Sequence, residues 1–240
     1  MYENRYVEVY DLLMRSRGKD YAAEANEVAR LVRDRSRDAA SLLDVACGTG
    51  LHLQYFAKQF DHVVGLDQSE DMLEFAGRTL PGLALRCGDM RRFEVGETFD
   101  AITCMFAIPH LRSPAELDAT VACFARHLAP GGVVVIEEWF TPERFIPGYV
   151  ATDLINDGPQ RTVRVSHTVR GADRENQVRM VVHYVDVAPE SGIQHWTESA
   201  DMTLFTHEDY ETAFARAGCV AEYVAPGELF ERGLWIAQAR

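Results

Sequence analysis

The run Leu42-Leu43-Asp44-Val45-Ala46-Cys47-Gly48-Thr49-Gly50, followed by Val63-Val64-Gly65-Leu66-Asp67, constrains this chain more than any other feature. An apolar strand enters a glycine turn, a helix-length segment follows, and a second apolar strand ends on a carboxylate. That layout is the nucleoside-binding half of a doubly wound parallel sheet. Gly48 and Gly50 occupy the first two glycine positions of a dinucleotide fingerprint, but Leu53 stands at the third. In dinucleotide sites the third glycine allows close packing of helix on strand. The turn therefore points to a different adenosine ligand. Backbone N–H groups at such a turn suit a carboxylate or phosphate. Asp67 suits the two ribose hydroxyls, or else caps the helix that starts near Ser69.

Composition narrows the partners. A net charge of -13 argues against nucleic acid, whose binders carry a basic face. Local basic clusters leave room for a phosphorylated small molecule. The N-terminus lacks the apolar core of a signal peptide, and no apolar run approaches a membrane span. The five cysteines are scattered and match no metal-ligand spacing, so we expect reduced thiols, no metal and a cytoplasmic protein.

Helical spacing predicts helices over Tyr6–Met14 and Tyr21–Arg33, with a basic turn between them. Strands are expected at Ser41–Ala46, His62–Asp67, Leu83–Cys87, Phe99–Met105 and Gly132–Glu137. Helices are expected at Leu51–Lys58, at Ser69–Leu80 with Ser69 as N-cap, and at Ala115–His127. The pattern then changes. Thr162–His167, Val178–Val187 and Ile193–Phe205 alternate as antiparallel, half-exposed strands with no helix between them. Thr206 caps a helix over Asp209–Ala217 that stops at Gly218, and Cys219–Val224 and Gly233–Gln238 supply two last strands. The expected fold is α/β, a seven-stranded doubly wound sheet with a small antiparallel sheet inserted between its fifth and sixth strands. Residues 1–140 would hold the N-terminal helices and nucleoside core, 141–205 the insertion, and 206–240 the closing helix and strands.

The run Asp44-Val45-Ala46-Cys47-Gly48-Thr49-Gly50 resembles motif I of the class I S-adenosylmethionine-dependent methyltransferases, whose sheet is Rossmann-like. Tyr2-Glu3, Val9-Tyr10-Asp11-Leu12, Arg17 to Glu24, Pro130 to Val134, Arg164-Val165-Ser166-His167 and Arg232-Gly233-Leu234 are similar to bacterial nucleotide-sugar N,N-dimethyltransferases of the desosamine and mycaminose type. The resemblance implies an S-adenosylmethionine cofactor, a TDP-linked deoxyamino sugar as substrate, and a homodimer formed with the insertion. It implies that Tyr21 and the Gly48 loop hold the methionine part, and that Asp89 meets the adenine amino group between Met72 and Met90. Ala46, Thr49, Gly50, Asp67, Gln68 and Met105 complete the implied cofactor set. His110, after the fourth strand, would face the transferable methyl and orient the amine or take its proton. Arg17 and Arg232 are the candidates for phosphate or sugar contacts. Glu138 and Trp139 would line the sugar pocket.

Two departures keep a second reading open. Met14 stands where those enzymes would place a tyrosine, and Ala107 and Pro109 replace a small serine- and glycine-rich loop. A lost hydroxyl and a stiffer loop suit an O- or N-methyltransferase of another small metabolite.

Overall fold

The computed structural model describes residues 3–171 and 176–239; Tyr2, quoted above, lies outside them. The helices are α1 (Glu3–Ser16), α2 (Tyr21–Arg33), α3 (Leu53–Phe56), α4 (Glu70–Thr79), α5 (Pro114–Arg126) and α6 (His207–Arg216). The first strands are β1 (Ser41–Val45), β2 (His62–Asp67), β3 (Ala84–Cys87), β4 (Phe99–Cys104) and β5 (Leu128–Glu137). Next come β6 (Tyr149–Asp157), β7 (Gln160–Arg170), β8 (Gln177–Ala188) and β9 (Gly192–Thr203), then β10 (Cys219–Val224) and β11 (Leu234–Ala239). They form two compact units. One joins Asp20–Trp139 to Thr206–Arg240, and the other joins the N-terminal residues through Lys19 to Phe140–Phe205.

The larger unit carries the seven-stranded sheet, in the order β10-β11-β5-β4-β1-β2-β3. β1 runs parallel to β2 and β4, whereas β11 is antiparallel to β5 and β10. Leu42, Leu43, Val45 and Val133–Ile136 are buried on both faces, as covered parallel strands require. The apolar stripe Ala25, Val28, Ala29, Val32 of α2 seals one side of that core. The Asp20 carboxylate accepts from Ala23 N at 2.9 Å and starts α2. Thr206 and Asp209 form a reciprocal capping box that starts α6.

Leu53 explains the missing third glycine. A Cβ on Gly65 would lie 2.7 Å from Leu53 Cδ2 and 3.0 Å from Cys47 Sγ. The bare position needed for close packing has moved from the helix to the adjacent strand.

In the smaller unit, order β6-β7-β8-β9, every pairing is antiparallel. Val9 and Leu13 of α1 pack on Ile155, Val182 and Tyr184. The alternation of β7 is inverted. Thr162, Arg164, Ser166 and Thr168 are buried, while Val163, Val165 and Val169 are exposed. Hydrogen bonds satisfy part of that polar layer. Thr162 Oγ1 and Gln160 Nε2 donate to the buried Asp186 carboxylate at 2.5 and 2.7 Å.

The structure corrects several expectations. The small sheet has four strands rather than three. β6 was missed because Asp153, Asn156 and Asp157, residue types depleted in strands, dilute the alternation of Val150, Thr152 and Leu154. The first crossover is helical only over Leu53–Phe56, with turns on both sides. The fifth strand, expected to start at Gly132, starts at Leu128, and Ala129–Gly132 form a bulge inside β5, where pairing jumps from Phe99↔Leu128 to Ala101↔Val133. Finally, α1 belongs with the inserted sheet, not with residues 20–140. Its apolar stripe finds its partners on β6 and β8.

Candidate active site

Strand order reverses between β1 and β4, and open α/β sheets bind ligands beyond the carboxyl ends at such a switch. Among the described residues, Ala46 (φ 57°) and Phe106 (φ 66°) are the non-glycine residues with positive φ. They follow the ends of these two strands. Such strain costs on the order of 1–3 kcal/mol per residue and concentrates at functional sites.

Asp67 organises the turn. Its Oδ2 accepts from Gly48 N at 2.8 Å and its Oδ1 from Ser69 N at 2.9 Å. It braces the helix entry and the glycine loop, and each oxygen keeps a further lone pair for a ribose hydroxyl. One expectation is corrected here. The Gly48 N–H is committed to Asp67, and the Gly50 N–H donates to Cys47 O at 3.0 Å. The carboxylate thus takes up the Gly48 donor of the turn.

The loop nevertheless fits an adenosine cofactor. Thr49 Oγ1 is buried with no hydrogen-bond partner. A Cβ on Gly48 would meet no atom within 4 Å, so that face is open. At Gly50 (φ 84°) a Cβ would lie 2.6 Å from Leu80 Cδ1, so that glycine serves packing instead. Tyr21 stands edge-on to the His52 ring, centroids 4.8 Å apart, and His52 Nε2 lies 2.7 Å from the buried Glu24 carboxylate. The start of α2 is thereby fixed against the turn.

Asp89 follows β3, flanked by Met90, both half-buried. It meets a fork from Arg91, with Nε to Oδ1 at 2.9 Å and Nη2 to Oδ2 at 2.6 Å. These bonds hold its carboxyl below the usual range. Gln68 is exposed beyond β2, Met72 is half-buried in the first turn of α4, and Met105 is buried after β4. His110 closes a 3-10 turn, Ile108–His110, with its side chain exposed. Desolvation by the protein packed around the ring lowers its pKa, the Asp67 carboxylate opposing.

On the other side of β4, Glu138 is buried and accepts from Tyr223 OH at 2.6 Å, while His207 Nε2 lies 3.3 Å from its second oxygen. Trp139 is half-buried beside it. The Arg232 guanidinium lies 4.3 Å from the centroid of the Phe106 ring. Gly233 (φ 100°) leaves room for Tyr223, whose hydroxyl a Cβ would strike. Met14 and Arg17 belong to the smaller unit. Met14 packs against its core, and Arg17 forks onto Asp153 at 3.1 and 3.2 Å. Arg164 reaches the same carboxylate at 2.9 Å. Burial pushes Asp153 up, but the two arginines outweigh it and hold its pKa low.

Sequence reasoning passed over Phe106, Asp44 and Arg91. Asp44 was legible as a carboxylate inside an apolar strand. It is fully buried, accepts from Thr103 Oγ1 at 2.7 Å, and is raised to about 6, chiefly by burial. The strained Phe106 left no signal in the sequence.

A family described as "Methyltransferase domain" matches residues 42–132. Beyond that, the chain is 47% identical over 237 residues, 98% of each chain, to the dTDP-3-amino-3,4,6-trideoxy-alpha-D-glucopyranose N,N-dimethyltransferase of Streptomyces venezuelae. It is 43% identical, over 98% of this chain and 93% of the relative, to the dTDP-4-amino-2,3,4,6-tetradeoxy-D-glucose N,N-dimethyltransferase of Saccharopolyspora spinosa. Its fold superposes with a TM-score of 0.87 and 45% identity, over 97% of both chains, on SAM-bound CalS10, an amino pentose methyltransferase from Micromonospora echinaspora involved in calicheamicin biosynthesis.

Proposed function

We propose a reaction from one premise: the chain belongs to the family of S-adenosylmethionine-dependent N,N-dimethyltransferases of TDP-linked amino sugars. It transfers methyl groups to the amine of a TDP-linked deoxyamino sugar, in two rounds, in the assembly of an antibiotic sugar. One observation carries this reading. The general methyltransferase match ends at residue 132, whereas likeness to the amino-sugar enzymes runs through 98% of the chain, the insertion included.

S-adenosylmethionine supplies a methyl on a sulfonium, an electrophile that needs no further activation. The chain's task is positioning and desolvation. Asp67, Gly48, Thr49 and Tyr21 hold the ribose and methionine parts, and Ala46, Gly50, Gln68, Met72, Met90 and Met105 shape the rest of that site. Asp89 takes the adenine amine. His110 accepts a hydrogen bond from the acceptor amine and keeps its lone pair unprotonated. Arg232 offers a cation to an anionic diphosphate, with Glu138 and Trp139 on the sugar. His110→Ala lowers kcat about tenfold without abolishing turnover; an unchanged kcat removes the residue from the mechanism.

The protein acts as a homodimer. Exposed Val163 pairs with Leu154 on β6 and Val185 on β8, and Val187 pairs with Ile193. Ile193 is 76% and Leu154 62% exposed. A contiguous aliphatic sheet face of this kind marks an interface, and a second copy offers the same face in self-complementary form. Among the described residues no helix is long and apolar enough to cross a membrane.

The deciding experiment incubates the protein with S-adenosylmethionine and TDP-linked 3-amino and 4-amino deoxysugars, read by mass spectrometry. A gain of two methyl masses on one isomer is expected and gives the regiochemistry. No gain, with cofactor binding shown separately, favours another small-metabolite acceptor, the reading to which Met14 and Pro109 point.

A further inference from the structure

We propose that Arg91 is a positioning residue for adenine selection: it holds the Asp89 carboxylate in one orientation and ties it to the backbone behind His110. The inference rests on the reading that Asp89 faces the adenine amino group.

The geometry leaves Asp89 little freedom. Its Oδ1 accepts from Arg91 N at 3.0 Å and Arg91 Nε at 2.9 Å, and its Oδ2 accepts from Arg91 Nη2 at 2.6 Å and, at 3.1 Å, from the shared Nε, with Arg92 Nε 3.7 Å away. This fork fixes the plane of the carboxylate, and its remaining edge suits an N–H donor only. The exocyclic amine of adenine presents N–H groups, whereas hypoxanthine presents a carbonyl there, which a carboxylate repels. A freely rotating carboxylate would select less well, because selectivity of this kind comes from a fixed polar group left unpaired by the wrong partner.

Arg91 is itself held from the other side. Its Nη1 donates to Glu116 Oε1 at 2.7 Å, in the first turn of α5. Glu116 Oε2 accepts from Arg112 N at 2.8 Å, two residues past His110. One guanidinium thus spans the end of β3 and the segment after β4. A lysine could keep the charge but could not make the planar fork.

The test is calorimetric binding of S-adenosylhomocysteine and of its inosine counterpart to the full-length protein and three variants. Wild type should prefer the adenine form about a hundredfold. Asp89→Asn, which can donate to a carbonyl, should remove or invert that preference. Arg91→Gln and Arg91→Lys should each reduce it to about tenfold or less, with Asp89 unchanged. Full selectivity in Arg91→Gln, or its restoration by Arg91→Lys, overturns the positioning role and leaves the Asp89 reading intact. A wild type that binds both ligands equally removes the Asp89 reading itself. Thermal melts confirm that each variant is folded before binding is compared.

Discussion

The two sheets solve opposite problems. The seven-stranded sheet buries both faces, and its chemistry sits at strand ends, where backbone turns meet a few carboxylates. The four-stranded sheet buries a polar face on β7 and exposes an aliphatic one. Burying Arg164, Asp186 and Thr162 is costly unless each finds a partner, and Asp153, Thr162 and Gln160 supply partners. The difference teaches that the first sheet is built to be complete within one chain. The second has the pattern of a surface that expects another surface.

That contrast can be broken in four places. Asp67→Ala removes the proposed ribose acceptor together with one brace of the glycine turn and one of the α4 entry, so S-adenosylmethionine affinity should fall a hundredfold or more. Intact affinity in calorimetry would end the ribose assignment.

Asp44→Asn addresses the buried carboxyl beneath that turn. Burial raises its pKa to about 6, while the His52 ring and Thr103 pull the other way. In the unfolded chain it titrates near about 4. The folded form therefore retains a proton that the unfolded form has lost. This stability is complete below about pH 4 and is lost as pH rises through about 6, a swing on the order of 3 kcal/mol. Denaturation of the variant from pH 4 to 7 should lack that slope. Parallel curves for the two proteins would contradict it.

Gly65→Ala puts a methyl where Leu53, Leu85 and Cys47 already crowd. Overpacking of this kind costs about 1–3 kcal/mol, with a Tm lower by several degrees. An unchanged Tm would show that the turn has slack.

Val185→Glu should have the smallest effect on the folded monomer, within about 0.5 kcal/mol, because the side chain is exposed. By light scattering, however, it should yield a monomer that binds the cofactor normally. A variant that stays dimeric moves the interface elsewhere.

Legibility followed the kind of force involved. The strand–turn–strand core was readable because local rules dominate it. Continuous apolar runs mark buried parallel strands, glycines mark the turn, and Ser69 and Thr206 cap helices by contacts within three residues. The positions of His110 and Asp89 just beyond strand ends followed from that register. β6 and the bulge at Ala129–Gly132 were not readable, since their pairing is decided by partners distant in the chain.

Taken alone, the sequence determined the α/β class, the cofactor half-site, the inserted antiparallel sheet and the resemblance to amino-sugar methyltransferases. Its periodicity and spacing encode what a segment does with its own neighbours. Only the tertiary structure decided that α1 serves the inserted sheet, that Gly65 supplies the space Leu53 takes, that Asp67 takes up the Gly48 donor of the turn, and that Arg91 links Asp89 to Glu116. Each of these depends on which side chains meet across long stretches of chain. Packing and shared hydrogen bonds settle that, and no local pattern records it.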